Sequence, residues 1–388
     1  MTLYDSETDG TLGKPIPLGQ AARTHALIIG VSHYRHLPGG SGTPNPEFDL
    51  EQPTCSSIAA VAFARWVIDE MNNPRAPLGS VELLTSPSTD FFVSPTLKRH
   101  TLDATMVNVE AAFERWMVRA NSNPNNVALF YFCGHGLMRA DLNLLLSDFA
   151  AKSLKPFDTA VNITKTYEGM ARCAARTQCY FLDCCQQATW IMSQQTYEPG
   201  KALADPKFGV YHTGDAPKFL ATAPSLPAFG VRNGMTVFTT VLLDCLRRRG
   251  TRRRADSKWV VTTAALSEAL GAAIPTELPV LGGLQIHPTD GYHNGKSGLH
   301  ELSCAPEIEV SLQCEPHAAN ALANFHMHAS MPPHKPAYDY PVAGPWHFRA
   351  SANHYLAAAS FPEGQYDKAE FEVWVLPPGP MSQILEIK

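Results

Sequence analysis

From His25 to Ile274 the hydrophobic positions come as short unbroken runs separated by stretches of helical spacing. The runs His25–Val31, Val127–Phe132, Gln178–Leu182 and Lys218–Ala223 are apolar at nearly every position and rich in aromatic and β-branched residues. Such runs fit strands buried on both faces, as in a parallel sheet, rather than half-exposed strands. Between them, Ser56–Asn72 carries Ile58, Val61, Ala62, Trp66 and Met71 at helical spacing, and Asp103–Arg119 carries Val107, Val109, Phe113, Trp116 and Met117. Thr164–Ala175, Thr236–Leu246 and Val261–Ile274 read as further helices, with Thr262 or Thr263 as the cap of the last. A short strand is predicted at Val81–Leu84. Strands alternating with helices predict an α/β fold with helices on both faces of a mostly parallel sheet.

Pro275–Gly298 is rich in Pro and Gly and reads as a boundary, beyond which the pattern becomes period two. Ile308–Leu312, Ala323–His328, Trp346–Arg349 and Glu370–Val375 alternate apolar with polar, and Pro-rich turns separate them. That predicts a small C-terminal antiparallel β domain of sandwich type. The expected organisation is a flexible lead-in over 1–22, an α/β domain over 23–280, a linker over 281–304 and the β domain over 305–388.

Composition narrows the class. The 388 residues include 45% hydrophobic and 17% charged, a globular balance with ample core. A formal net charge of −5 argues against nucleic acid as a partner. The two arginine triplets, Arg247–Arg249 and Arg252–Arg254, are expected in a solvated loop. Nine scattered cysteines lack the spacing of a disulfide framework, which suits a reducing, cytoplasmic location. No apolar run is long enough to span a bilayer, and the first twenty residues contain no apolar signal core.

Two of the runs end in reactive side chains. One runs into Cys133-Gly134-His135-Gly136 and the other into Asp183-Cys184-Cys185. Side chains just past the carboxyl ends of neighbouring parallel strands share one crevice, which would bring together His135 and Cys185, 50 positions apart. A histidine beside a cysteine favours the nucleophilic thiolate and can then protonate a leaving amine. Successive residues of a strand face opposite ways, so Cys184 is assigned to the core on the sheet's other face. The bland alternative is a buried thiol and a satisfied core histidine.

Order, spacing and strand context together resemble the caspase-like cysteine peptidases, which include caspases, metacaspases and bacterial caspase-domain proteins. Cys133-Gly134-His135-Gly136 resembles their Ser-Gly-His-Gly turn, and Asp183-Cys184-Cys185 their Asp-Ser-Cys turn. The strand at His25–Val31, the helix start Asp103-Ala104-Thr105 and the return strand Asn143–Asp148 also resemble family elements, so the likeness covers His25 to Pro279. It implies a cysteine endopeptidase with Cys185 as nucleophile, His135 as its acid–base partner, and the amides of Gly136 and Cys185 as oxyanion hole. Asp183 resembles the metacaspase acid that receives a basic P1 residue, and Cys133 stands beside it as a candidate substrate contact. The family's second pocket acid has no counterpart, since the matching stretch reads Cys55-Ser56-Ser57-Ile58.

The resemblance further implies protein or peptide substrates, conditional activation by a protein regulator in bacterial stress or defence signalling, and cleavage in the linker Ala188–Pro206. No cofactor or metal ligand set is expected. Metacaspases often need calcium; no loop here has the EF-hand ligand pattern, but that loop is not the only way to bind calcium, so calcium dependence stays open. His326 and His328, alternate residues on a predicted strand, are too few for a zinc site. Two rivals stand beside the peptidase: an inactive scaffold binding a partner through the β domain, and a non-proteolytic thiol enzyme of the same α/β shape.

Overall fold

The computed structural model describes residues 2–6, 17–138, 140–186, 199–222, 233–277, 289–330, 338–341 and 346–388. Most of the linker Ala188–Pro206 and of the loop Pro224–Gly234 therefore lies outside the described residues, as do residues 278–288 of the boundary and much of the lead-in. The chain forms two compact units, Met1–Leu243 with Leu270–His300, and Asp244–Ala269 with Glu301–Lys388.

The first unit is built on a seven-stranded sheet. Its strands are β1 (Tyr4–Asp5), β2 (Thr24–Val31), β3 (Leu78–Ser86), β4 (Val127–Gly134), β5 (Thr177–Cys184), β6 (Ala216–Leu220) and β7 (Thr289–Tyr292), in the order β1-β3-β2-β4-β5-β6-β7. The five inner strands are parallel, and the two edge strands β1 and β7 pair antiparallel. All eight positions of β2 are buried, and so are seven of eight in both β4 and β5, as their unbroken apolar runs predict.

Side-chain alternation assigns the two faces. Phe130, Phe132, Tyr180, Leu182 and Cys184 share one buried cluster with Val109, Phe113 and Trp116 of helix α2 (Met106–Ala120) and Ile163 of helix α3 (Ile163–Gly169). On the other face Phe63, from helix α1 (Ser56–Arg65), stacks on Tyr131 at 4.6 Å and meets Phe181 at 5.3 Å between ring centroids. Phe181 in turn stacks on Phe219 of β6 at 5.1 Å. Helix α4 (Val237–Asp244) places Thr239 against Tyr131 on this same face. Cys184 is thus in the core on the face away from α1, as alternation predicts.

Helix boundaries and faces differ from expectation in identifiable ways. Of the five α1 positions predicted to face inward, only Trp66 is buried, and Ile58 is 40% exposed. Ala59, Ala60, Phe63 and Ala64 face the sheet instead. The small residues permit close approach: a Cβ on Gly30 would lie 2.4 Å from that of Ala60. The helix then widens into a π turn at Trp66–Glu70. In α2, Thr105 caps the helix by accepting from the Asn108 amide at 3.5 Å, while Val107 is 73% exposed. Val261 and Thr262 end a strand, Trp259–Thr262, and helix α5 (Thr263–Glu277) starts after it, with Thr262 Oγ1 accepting from the Ala265 amide at 3.2 Å.

Within the second unit, residues 305–388 form two sheets among the described residues. One orders β11 (Trp346–Ser351), β8 (Glu307–Glu315) and β14 (Met381–Glu386). The other orders β10 (Tyr338–Pro341), β9 (Asn324–Ala329), β12 (Asn353–Ser360) and β13 (Ala369–Val375). Alternate residues of both sheets (Ile308, Val310 and Leu312; Phe325 and Met327; Tyr355; Val373 and Val375) fill a single core. Pairing is antiparallel except between β8 and β14, which run parallel. The arginine stretch is not a bare loop. Cys245–Arg249 forms a π turn after α4, and Thr251–Arg253 pairs with Trp259–Thr262 as a hairpin. Arg248 and Arg249 both pair with Asp244, Arg252 with Glu268 at 2.7 Å, and Arg254 with Asp256.

Candidate active site

The register of β4 and β5 places Cys133 opposite Asp183 and Gly134 opposite Cys184. His135 and Cys185 are the next residue on each strand, so they leave the sheet side by side at its carboxyl edge. Gly136 lies hard against the second turn. A Cβ there would sit 2.4 Å from the Cys185 carbonyl oxygen and 2.8 Å from Cys184 Sγ. Any larger residue would force the two turns apart.

Burial separates the thiols. Cys133 and Cys184 are fully buried, whereas Cys185 and His135 are each partly exposed. The Cys184 thiol is pushed well up, first by burial and then by the neighbouring charges of Cys185 and Asp183. The Cys133 thiol is pushed well up by burial and then by Asp183. Both are held in the protonated, unreactive form.

His135 is gripped from two sides. Its backbone N–H donates to the Tyr34 phenol oxygen at 2.7 Å, and the Tyr34 and His135 rings lie 4.9 Å apart. Its Nε2 lies 2.7 Å from the Glu51 carbonyl oxygen. A carbonyl can only accept, so Nε2 carries the proton and Nδ1 of the neutral ring is the nitrogen able to take another. Burial lowers the pKa of His135, and the Glu51 hydrogen bond works against that shift. Tyr34 and Glu51 lie near the two ends of the Gly- and Pro-rich loop 34–52.

Asp183 points to the α1 side of the sheet and is almost wholly buried. Its Oδ2 accepts hydrogen bonds from Thr239 Oγ1 at 2.6 Å, from Thr236 Oγ1 and from the Tyr131 hydroxyl at 3.4 Å. Thr236 also accepts from the Thr239 amide at 3.1 Å, so one threonine both starts α4 and binds the acid. Oδ1 is buried and has no hydrogen-bond partner among the described residues, and the Cys133 thiol also bears on the carboxyl. Burial raises the Asp183 pKa, and the hydroxyl donors oppose the rise. Cys55, at the start of α1, is close enough to feel the Asp183 charge, which adds to the upward push of burial on its thiol.

A family model described as the caspase domain matches residues 23–269. The chain belongs to the caspase-domain family. Among curated proteins, this caspase-domain chain is 26% identical over 311 residues to an uncharacterized protein, y4kE, of Sinorhizobium fredii (strain NBRC 101917 / NGR234), covering 77% of this chain and 89% of the relative. Among solved structures it resembles the Bacillus anthracis TIE protein at 15% identity and a TM-score of 0.18, over 26% of this chain and 20% of that one.

Sequence reasoning singled out His135, Cys185, Gly136, Asp183 and Cys133, and the structure collects all five at the ends of β4 and β5. It missed Tyr34, Glu51, Thr236 and Thr239. The threonines carry a weak signal, hydroxyls three apart at a helix start. Glu51 acts through its backbone and leaves none. His326 and His328 lie on one face of β9, with His326 Nε2 2.8 Å from Ser360 Oγ, and no cluster of three or more His, Cys, Asp or Glu is placed to hold a metal among the described residues.

Proposed function

We propose that this caspase-domain chain is a cysteine endopeptidase acting through Cys185 and His135. Cys185 Sγ gives its proton to Nδ1 of His135 and attacks the scissile carbonyl as thiolate. The amides of Gly136 and Cys185 hold the developing oxyanion. The amine leaves with the proton from His135, and a water activated by the same imidazole then releases the acyl group from sulfur. The observation that carries this reading is the paired exit of His135 and Cys185 from adjacent strands, with Gly136 against the Cys185 carbonyl and the imidazole oriented by Glu51. No helix among the described residues is long and apolar enough to cross a membrane. A cytoplasmic, conditionally activated protease fits the unbridged thiols, with stress or defence signalling as its setting by family analogy.

The same reading extends to substrate choice. A buried carboxylate is costly without a partner cation. Asp183 takes its three hydroxyl donors on Oδ2 and leaves Oδ1 without one. A P1 Arg or Lys entering beside Cys133 would pair with that oxygen. A single acid holds a guanidinium in fewer directions than two would, so the preference for basic P1 is shallow. A fluorogenic panel with P1 Arg, Lys, Asp and Leu tests it. Native enzyme should cut after Arg or Lys best, and Asp183→Asn should lose roughly tenfold or more on Arg while Leu changes little, in line with the 1.5–3 kcal/mol of a charged hydrogen bond. Best cleavage after Leu or Asp would refute the basic pocket and leave the dyad standing.

A further inference from the structure

We infer that Gln52 is a positioning residue for His135, a staple that registers the loop 34–52 so that Tyr34 and the Glu51 carbonyl both bear on the imidazole. The inference rests on the reading of His135 and Cys185 as the reacting pair.

A side-chain amide offers one acceptor oxygen and two N–H donors. Gln52 uses all three on the loop it closes. Its Oε1 accepts from the Tyr34 amide at 2.7 Å, and its Nε2 donates to the Tyr34 carbonyl at 3.0 Å and to the Pro38 carbonyl at 2.9 Å. The loop between has no strand ladder of its own and contains Pro38, Gly39, Gly40, Gly42, Pro44 and Pro46. Leu37 and Phe48 anchor its middle in the core and the Gly42 and Asn45 amides bond the Arg35 and His36 carbonyls, so what Gln52 adds is the tie between the loop's two ends.

Both ends of the staple reach the histidine. At one end Tyr34, fully buried, receives the His135 N–H and packs its ring against the imidazole. Glycines allow that approach: a Cβ on Gly40 would lie 2.2 Å from the Tyr34 carbonyl oxygen, and one on Gly134 would lie 2.7 Å from the Tyr34 hydroxyl. At the other end Gln52 follows directly on Glu51, so fixing its side chain also fixes the plane of the peptide whose carbonyl accepts the hydrogen bond from Nε2–H. No other side chain holds both contacts to Tyr34's own peptide groups among the described residues.

The test compares native chain with Gln52→Ala and Tyr34→Phe on the best peptide of the P1 panel, and measures alkylation of Cys185 by iodoacetamide. Both variants should lower kcat by roughly ten- to a hundredfold, as a misplacement of about 1 Å does. KM should stay within about twofold and Cys185 alkylation should slow in parallel, since the thiolate depends on the imidazole. Tyr34→Phe removes only the hydroxyl that receives the His135 N–H, and Gln52→Glu, which keeps the shape and the acceptor but loses both N–H donors, decides the matter if Gln52→Ala fails to fold. Unchanged kcat in both variants, or a rise in KM with kcat intact, overturns the staple while the dyad stands. A native chain that neither cleaves peptides nor alkylates at Cys185 overturns the dyad, and the staple with it.

Discussion

The two units of this molecule use opposite hydrophobic codes. Strands β2, β4 and β5 are buried on both faces, so their side chains are committed to core and only the residues past their ends are free to react. Strands β8 and β13 alternate buried with exposed, so their unit presents side chains along the whole length of each strand. A sheet covered on both faces concentrates its chemistry at one edge, where backbone amides, strand-end side chains and loops converge. An alternating sheet leaves a broad outer face and no such focus.

That contrast can be broken most severely inside β5. Phe181 is sandwiched between Phe63 and Phe219, and Phe181→Ala should cost about 3–5 kcal/mol of stability by chemical denaturation. A smaller effect comes from pH. His25, inside β2, is held neutral by burial, with its pKa lowered to about 3. The unfolded chain takes up that proton below about pH 6.5 and the folded chain does not, so stability falls as pH drops from about 6.5 towards 3. The slope from this residue is about 1.4 kcal/mol per pH unit, and a His25→Asn chain should show a shallower loss over that window. At the other extreme Ile384, on the outer face of β14, is half exposed, and Ile384→Thr should stay within about 0.5 kcal/mol of native. A large loss there would mean that the outer face is covered.

How far the sequence could be read follows the same contrast. The parallel strands were legible because Val127–Phe132 and Gln178–Leu182 are apolar throughout, and the Cys and His turns that follow them were legible because a strand end is a fixed place. The buried face of α1 was not. Its alanines pack onto β2 because Gly30 leaves them room, and a helix apolar on most sides gives no direction by periodicity alone. In the second unit β12 was missed because Leu-Ala-Ala-Ala has little β character, and Tyr355, not propensity, fixes it in the core. Asp183 was found by its place in the turn that ends at Cys185, but the threonines that bind it come from a helix more than fifty residues on. The grip on His135 was invisible for a different reason. It uses a backbone carbonyl and a polar side chain within a loop, where no period exists to reveal them.

The central claim is that Cys185, and not its neighbour Cys184, is the nucleophile that His135 activates. An electrophilic peptide probe, applied to native, Cys184→Ala, Cys185→Ala and His135→Ala proteins and mapped by mass spectrometry, tests it directly. The account predicts label on Cys185 in the native and Cys184→Ala proteins, none at the site in Cys185→Ala, and labelling slowed by roughly a hundredfold or more in His135→Ala. Label on Cys184, or a Cys185 rate indifferent to the loss of His135, would contradict it.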